Sequence, residues 1–389
     1  METAMTMPLT HADNHTALEP LPRRILMTTD AIGGVWTYAL DLCRGLSEFG
    51  VEVALATMGQ PLTAPQRREA ADEENVTLYE SCFRLEWMDD PWDDVRESGE
   101  WLLSLEAKLR PDLVHLNGYA HAALPWSAPC LVVGHSCVLS WWEAVRHEEP
   151  PATLDPYRQS VVRGLAGADL VVAPSSAMMQ ALERIYKPLP NGRVIYNARG
   201  RTRFSPGRKK EFILSVGRLW DDAKNIGTLA RTAYRLPWPI YVAGEQKHPG
   251  GGTAAFDGVN RLGFLSPEAL APWYSAAAVY AFPARYEPFG LTVLEAALSG
   301  CALVLGDIPT FRELWDDAAI FVDPEDEEEL ARELRTLCMD STRLSDSRER
   351  ARLRSRAFNL GKMTAGYLAA YRDLVPRRQI DLDQEAPAS

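Results

Sequence analysis

The chain has 389 residues, 46% of them apolar and 24% charged, proportions that suit a soluble globular protein of two or three domains. Lysine and arginine total 41 against 53 aspartates and glutamates, a net charge of −12. This excludes a broad basic surface for nucleic acid or an anionic membrane, but not a local cluster of cations around an anionic ligand.

In chain order, the first 22 residues are polar, with neither the basic stretch nor the apolar core of a signal peptide, and read as a tail. Ile25–Thr29 predicts a buried strand and Asp30–Gly34 a turn. Val35, Tyr38, Ala39, Leu42, Leu46 and Phe49 then recur at three- and four-residue spacing, one stripe of an amphipathic helix. Val51–Thr57, Asp112–Leu116, Leu131–Gly134, Asp169–Ala173 and Arg193–Tyr196 read as further strands, with helices between most of them. Strands alternating with helices form a doubly wound parallel sheet, so residues 23–200 make one Rossmann-like domain.

After an Arg-rich hinge at Ala198–Lys210 the pattern restarts. Strands are expected at Phe212–Val216, Ile240–Ala243, Val279–Phe282 and Ala302–Leu305. Helices are expected near Asn225–Leu236, Pro267–Ala276, Leu291–Ser299 and Glu325–Met339, giving a second Rossmann-like domain over 201–360. Gln246–Asp257, with Pro249 and Gly250–Gly252, reads as a mobile loop or insertion. A last helix near Lys362–Leu374 has an apolar side, and 376–389 reads as a second tail. No run of 18 apolar residues predicts a membrane span. The six cysteines show neither C-x-x-C nor zinc-ligand spacing, which points to a reducing, cytoplasmic setting and no metal centre.

Ligands of open α/β sheets bind beyond the carboxyl ends of the strands, and four segments fall there. Asp30-Ala31-Ile32-Gly33-Gly34 places two glycines between strand and helix, where backbone can approach a ligand. It is not the G-x-G-x-x-G of a nicotinamide enzyme. Arg218, at a strand end, and Lys224, six residues on, suit a diphosphate, a forked donor beside a compact charge. Two solvated cations paired with Asp221 and Asp222 are the plainer alternative. In Glu287-Pro-Phe-Gly-Leu-x-x-x-Glu295, Pro288 and Gly290 open a helix whose first N–H groups, from Phe289, Gly290 and Leu291, can face an anion. Glu287 and Glu295 are then spaced to anchor separate hydroxyl groups, as carboxylates do on vicinal diols. His135, closing the strand at Leu131–Gly134, faces the cleft and could bond a sugar or phosphate or move a proton; His115 is similarly placed. For a lone histidine, a satisfied core residue is the plainer reading. Trp141, Trp142 and Arg146 are candidates for acceptor contact, against an aromatic core.

The Glu287…Glu295 segment resembles the E-x7-E signature of retaining glycosyltransferases of GT-B fold. Ser215-Val-Gly-Arg218-Leu-x5-Lys224-Asn225 is similar to their donor-phosphate element. Gly33-Gly34, Asp112-Leu-Val-His115, Gly134-His135-Ser136 and Val194-Ile-Tyr-Asn197 match in the same order, and glycosyltransferase family 4 is the nearest resemblance, from about residue 24 to 375. The resemblance implies two Rossmann-like domains facing a cleft, and a retaining hexosyl transfer from a UDP-, GDP- or ADP-linked sugar without a required metal or cofactor. It implies that Arg218 and Lys224 hold the diphosphate, Glu287 the donor sugar and Glu295 the ribose. Phe289, Gly290 and Leu291 would lie along sugar and phosphates, Phe264 and Leu265 near the base, Gly33 and Gly34 over the donor, and His135 at the reacting centre. It also implies that the last helix crosses back to the first domain. The acceptor stays open between a sugar, a lipid-linked sugar and a small molecule, and peripheral membrane association is compatible with all three. An epimerase or phosphorylase of the same fold, or a non-catalytic nucleotide-sugar-binding protein, are the alternatives.

Overall fold

The computed structural model describes residues 21–200, 203–247, 251–252 and 255–375. Both tails fall outside that range, apart from residues 21 and 22, as do parts of the hinge and of the Gln246–Asp257 loop.

The first domain alternates β1 (Arg24–Asp30), α1 (Gly34–Ser47), β2 (Glu52–Met58), α2 (Ala64–Ala71), β3 (Val76–Glu80), α3 (Trp92–Leu109), β4 (Leu113–Leu116), β5 (Cys130–Val133), α4 (Val138–Arg146), α5 (Asp155–Gly167), β6 (Leu170–Ala173), α6 (Ser176–Tyr186) and β7 (Gly192–Val194). The strands pair in parallel in the order β3-β2-β1-β4-β5-β6-β7. The second domain runs β8 (Lys210–Val216), α7 (Ile226–Thr232), β9 (Ile240–Ala243), β10 (Asn260–Gly263), α8 (Pro267–Ala276), β11 (Ala277–Phe282), α9 (Leu291–Leu298), β12 (Ala302–Gly306), α10 (Pro309–Trp315), β13 (Ile320–Val322), α11 (Glu327–Met339) and α12 (Ser341–Ser355). Its parallel sheet has the order β10-β9-β8-β11-β12-β13.

Both sheets therefore reverse direction next to their first strand, between β1 and β4 and between β8 and β11. At such a switch point the outgoing loops diverge and leave a crevice. The candidate segments of the sequence leave from these strands and their neighbours: the glycine turn from β1, Arg218 from β8, Glu287 from β11 and His135 from β5.

The central strands are buried on both faces, and their apolar runs follow from that. Ile25, Leu26 and Met27 of β1 are wholly inaccessible, as are Val279, Tyr280 and Ala281 of β11. The last helix, α13 (Leu360–Leu374), packs its Met363, Tyr367, Leu368 and Tyr371 with Tyr38, Leu42 and Leu46 of α1 in the first domain's core. A Cβ on Gly45 would lie 2.0 Å from Thr364 Oγ1, so α1 and α13 meet backbone to side chain at that position. All six cysteines are free. Among the described residues no helix is long and apolar enough to cross a membrane.

Candidate active site

On the first domain's rim, Gly33 opens α1 with φ 85°, a conformation that side chains resist, and a Cβ there would meet nothing within 4 Å. A Cβ on Gly34 would sit 3.6 Å from Leu291 Cδ1. The glycine turn thus abuts the start of α9 across the cleft. Asp30, just before it, accepts the Ile32 N–H at 3.3 Å. Burial pushes its carboxyl up to about 7, against the pull of that N–H and of Arg218.

The two histidines part company. His115 is fully buried, with Nδ1 2.8 Å from Tyr371 Oη and Nε2 3.3 Å from Tyr38 Oη. It joins β4 to α1 and α13 and is the satisfied core residue of the plainer reading. His135 is half-buried, edge-on to Tyr38, with Nε2 2.8 Å from Asn117 Oδ1. The Asn117 amide nitrogen donates to Thr28 O at 2.6 Å. Its oxygen is therefore the acceptor, which assigns the proton to His135 Nε2. Burial lowers both histidines to about 3, so His135 is neutral near pH 7 and is no proton donor.

On the second domain's rim, Gly217 and Gly244 bring two strand ends into contact. A Cβ on Gly244, at φ 141°, would lie 1.7 Å from Gly217 O. Lys224 is only 8% exposed and donates from Nζ to Glu287 Oε2 at 2.8 Å. Arg218 donates to Asp221 Oδ2 at 2.9 Å, and Lys224 Nζ lies 3.9 Å from the same oxygen. Burial would raise the Asp221 carboxyl, but Lys224 and Arg218, with bonds from Trp141 and Ala223, hold it below the usual range. Gly290, at φ 87°, opens α9. The first N–H groups of α9 have no carbonyl within the helix to donate to. Phe289 is buried, while Phe264 stands 74% exposed beyond β10 and Leu265 packs on the domain core.

Three of the expected site residues have charged or polar partners across the cleft. Glu295 is buried, 7% exposed, with its Oε1 2.8 Å from Arg199 Nε; Arg199 Nη1 also donates to Asp41 at 2.5 Å. The second glutamate is thus committed first to an arginine of the hinge. Trp141 donates to Asp221 at 3.0 Å and Arg146 pairs with Asp222 at 3.0 Å. Both are engaged with the second domain, while the Trp142 indole nitrogen is buried with no hydrogen-bond partner among the described residues. Trp141 and Arg146 thus tie α4 to the second domain.

Sequence reasoning passed over the other bridging residues. Tyr286 sends its hydroxyl into the first domain, 2.8 Å from Ser140 Oγ and 3.2 Å from Cys137 N. Ser175 donates to Pro288 O at 2.7 Å, and Glu313 accepts the Ser176 and Ala177 N–H groups, each at 2.8 Å, at the start of α6. A carboxylate at a helix N-terminus is favourable. Sequence spacing gives no sign of these pairs, since the partners lie more than a hundred residues apart.

Residues 32–199 match the family model described as Glycosyltransferase Family 4, and 210–340 that described as Glycosyl transferases group 1. The two models take in both domains. The chain is a glycosyltransferase of GT-B fold, similar to family 4. Among solved structures, sucrose-phosphate synthase from Thermosynechococcus elongatus superposes with a TM-score of 0.76 at 19% identity, over 90% of this chain and 99% of that one. HepE from Anabaena, in complex with UDP and glucose, superposes with a TM-score of 0.70 at 15% identity, over 90% and 100%. These likenesses establish the GT-B fold. In sequence, the glycosyltransferase is 26% identical over 114 residues to O-antigen chain mannosyltransferase B of Escherichia coli, 29% of this chain and 30% of that one. It is 28% identical over 151 residues to O-antigen chain mannosyltransferase RfbU of Salmonella typhimurium, 34% of this chain and 40% of that one. Each match spans less than half of the relative's own length.

Proposed function

We propose that this glycosyltransferase moves a hexosyl group from a nucleoside-diphosphate sugar to a hydroxyl acceptor, with retention of anomeric configuration and without a metal ion. The observation that carries the reading is the 2.8 Å pair between Lys224 and Glu287. In such a donor a single bridging oxygen separates the charged diphosphate from the hydroxyl-bearing sugar. A buried cation touching a carboxylate offers the matching pair of groups side by side.

Arg218, Lys224 and the start of α9 stabilise the charge that builds on the departing diphosphate. Each such donor contributes roughly 3–4 kcal/mol in the transition state. Binding exchanges the carboxylates Asp221 and Glu287, which now neutralise the cations, for phosphate. Glu287 takes hydroxyl groups of the donor sugar, and Glu295, positioned by Arg199, takes the ribose diol. Phe264 is placed for the base. With Nε2–H given to Asn117, His135 offers Nδ1 as an acceptor for a sugar hydroxyl. Glu287 is ion-paired on the phosphate side and is not assigned as a nucleophile, in keeping with the retaining resemblance. The two mannosyltransferase relatives and the glucose-bound HepE favour a hexose, and six free cysteines suit a reducing cytoplasm.

Melting temperature is measured against UDP, GDP and ADP, then nucleoside-diphosphate release from the corresponding hexose donors, with and without EDTA. Activity should survive chelation, and the product anomer should match the donor's by NMR. Arg218→Ala, Lys224→Ala and Glu287→Ala should each lower kcat/KM at least about tenfold. Full activity in all three overturns the site.

A further inference from the structure

We propose that Tyr286 is the positioning residue for Glu287, and that it fixes this glutamate to α4 of the opposite domain. The proposal rests on the transferase reading above and deepens it: the first domain sets the carboxylate that takes the donor sugar.

Glu287 lies in the turn between β11 and α9. The start of that turn is fixed to its own domain, Arg285 N donating to Ala223 O at 2.8 Å. The next ties come from across the cleft and flank Glu287. On one side the Tyr286 hydroxyl enters the first domain; on the other, Pro288 O accepts from Ser175 Oγ at 2.7 Å. The Ser140 hydroxyl has a single proton and gives it to Cys137 O at 3.0 Å. The Tyr286 hydroxyl, 2.8 Å from Ser140 Oγ, therefore donates there, and its oxygen accepts the Cys137 N–H at 3.2 Å. Its ring packs on the first domain's core, in one cluster with Cys137, Leu139 and Met178. A side chain held at both ring and hydroxyl fixes its own backbone, and the Glu287 Cα follows about 3.8 Å further on.

The contacts close into a ring. Trp141, next to Ser140 on α4, donates to Asp221 Oδ1 at 3.0 Å. Asp221 Oδ2 lies 2.9 Å from Arg218 and 3.9 Å from Lys224, and Lys224 holds Glu287 at 2.8 Å. Two adjacent residues of α4 thus reach the two ends of the row Asp221, Lys224, Glu287, one at the phosphate cations and one at the sugar carboxylate. In the reading above, an arriving diphosphate takes Lys224 away from Glu287. The ties through Tyr286 and Pro288 then keep Glu287 in place, so the Tyr286 hydroxyl matters most with donor bound.

UDP-glucose, GDP-mannose and ADP-glucose are the probes, with water as acceptor and nucleoside-diphosphate release as the readout. Tyr286→Phe keeps the packed ring and removes only the hydroxyl. A misplacement of about 1 Å costs on the order of a hundredfold, so kcat should fall about tenfold to a hundredfold while KM stays within about twofold. The melting-temperature rise with UDP, GDP or ADP should be unchanged. Ser140→Ala removes the acceptor of the same proton and should lower kcat too, with the double variant no slower than Tyr286→Phe alone. Arg203→Gln breaks the hinge pairs to Glu69 and Glu268 and should keep kcat within about threefold of wild type. The positioning role is overturned if Tyr286→Phe loses less than about tenfold in kcat, or loses it in KM instead. It is also overturned if the losses of Tyr286→Phe and Ser140→Ala multiply, or if Arg203→Gln is slowed as much as Tyr286→Phe, since loosened domains then explain both. Each of these results leaves the donor reading standing. Wild-type protein that releases nucleoside diphosphate from none of the three donors removes the transferase reading and this role with it.

Discussion

Replacing Arg199 with Met tests whether the hinge arginine holds the two domains together. Arg199 lies between Asp41 of α1 and Glu295 of α9, with side-chain exposures of 6%, 4% and 10%. Asp41 keeps a second cation, Arg44, at 2.9 Å, so the loss falls mainly on Glu295. Removing one partner of a buried ion pair costs about 3–5 kcal/mol, because the other charge stays out of water. At about 2–4 °C per kcal/mol for domains of roughly 200 residues, Arg199→Met should lower the melting temperature by roughly 6–20 °C. The pH dependence follows from Glu295. Burial already pushes its carboxyl above the usual range, and Arg199 pulls it back. Without Arg199 the folded variant binds at Glu295 a proton that the unfolded chain has released, so its stability falls as pH rises. Differential scanning fluorimetry at pH 5 and pH 8 should show the larger deficit at pH 8. Adding Glu295→Gln should recover part of it, since both partners of the pair are then neutral. A variant that melts within about 2 °C of wild type at pH 8, or a deficit that grows toward acid, refutes the reasoning.

Tyr286→Phe leaves Cys137 N–H and Ser140 without their partner from the second domain and should cost about 1–3 kcal/mol. Lower melting temperature and a larger radius of gyration by solution scattering are the measurements. Gly45→Ala forces a Cβ into Thr364 and should cost about 1–3 kcal/mol, with faster proteolysis of α13. His115, His121 and His135 are lowered by burial to about 3, about 4 and about 3, so the unfolded chain takes up their protons first. Stability should be lost as pH falls below 6.5, by roughly 1.4 kcal/mol per pH unit for each histidine. Chemical denaturation between pH 7 and 5 measures the slope, and imidazole resonances that titrate in the native state near 6.5 would contradict it.

Most central strands were readable because burial on both faces leaves an apolar run that needs no knowledge of its neighbours, as in Ile240–Ala243, found where expected. The edge strands Val76–Glu80, Asn260–Gly263 and Ile320–Val322 were not read, because half-exposed strands have no such run. Helix α12 was missed for a related reason: Ser341–Ser355 is dominated by Arg and Ser and buries only Ser347, Ala351 and Ser355, too thin a stripe to show as a period. The candidate residues of the second domain could be singled out because they are local. One turn and one helix fix Glu287, Gly290 and Glu295 relative to each other, and one loop fixes Arg218 and Lys224.

Pairing across the cleft was not legible. Arg199 reads only as one cation of an Arg-rich hinge, whereas the structure buries it between Asp41, 158 positions away, and Glu295. Trp141 and Arg146 read as candidates for acceptor contact, and nothing near them in sequence shows that Asp221 and Asp222 lie 3.0 Å away. Composition, period and turn chemistry act over a few residues and so determined both Rossmann-like halves and the local spacing of Arg218 with Lys224 and of Glu287 with Glu295. Which buried charge meets which depends on how the two sheets face one another, and only the tertiary structure decided that.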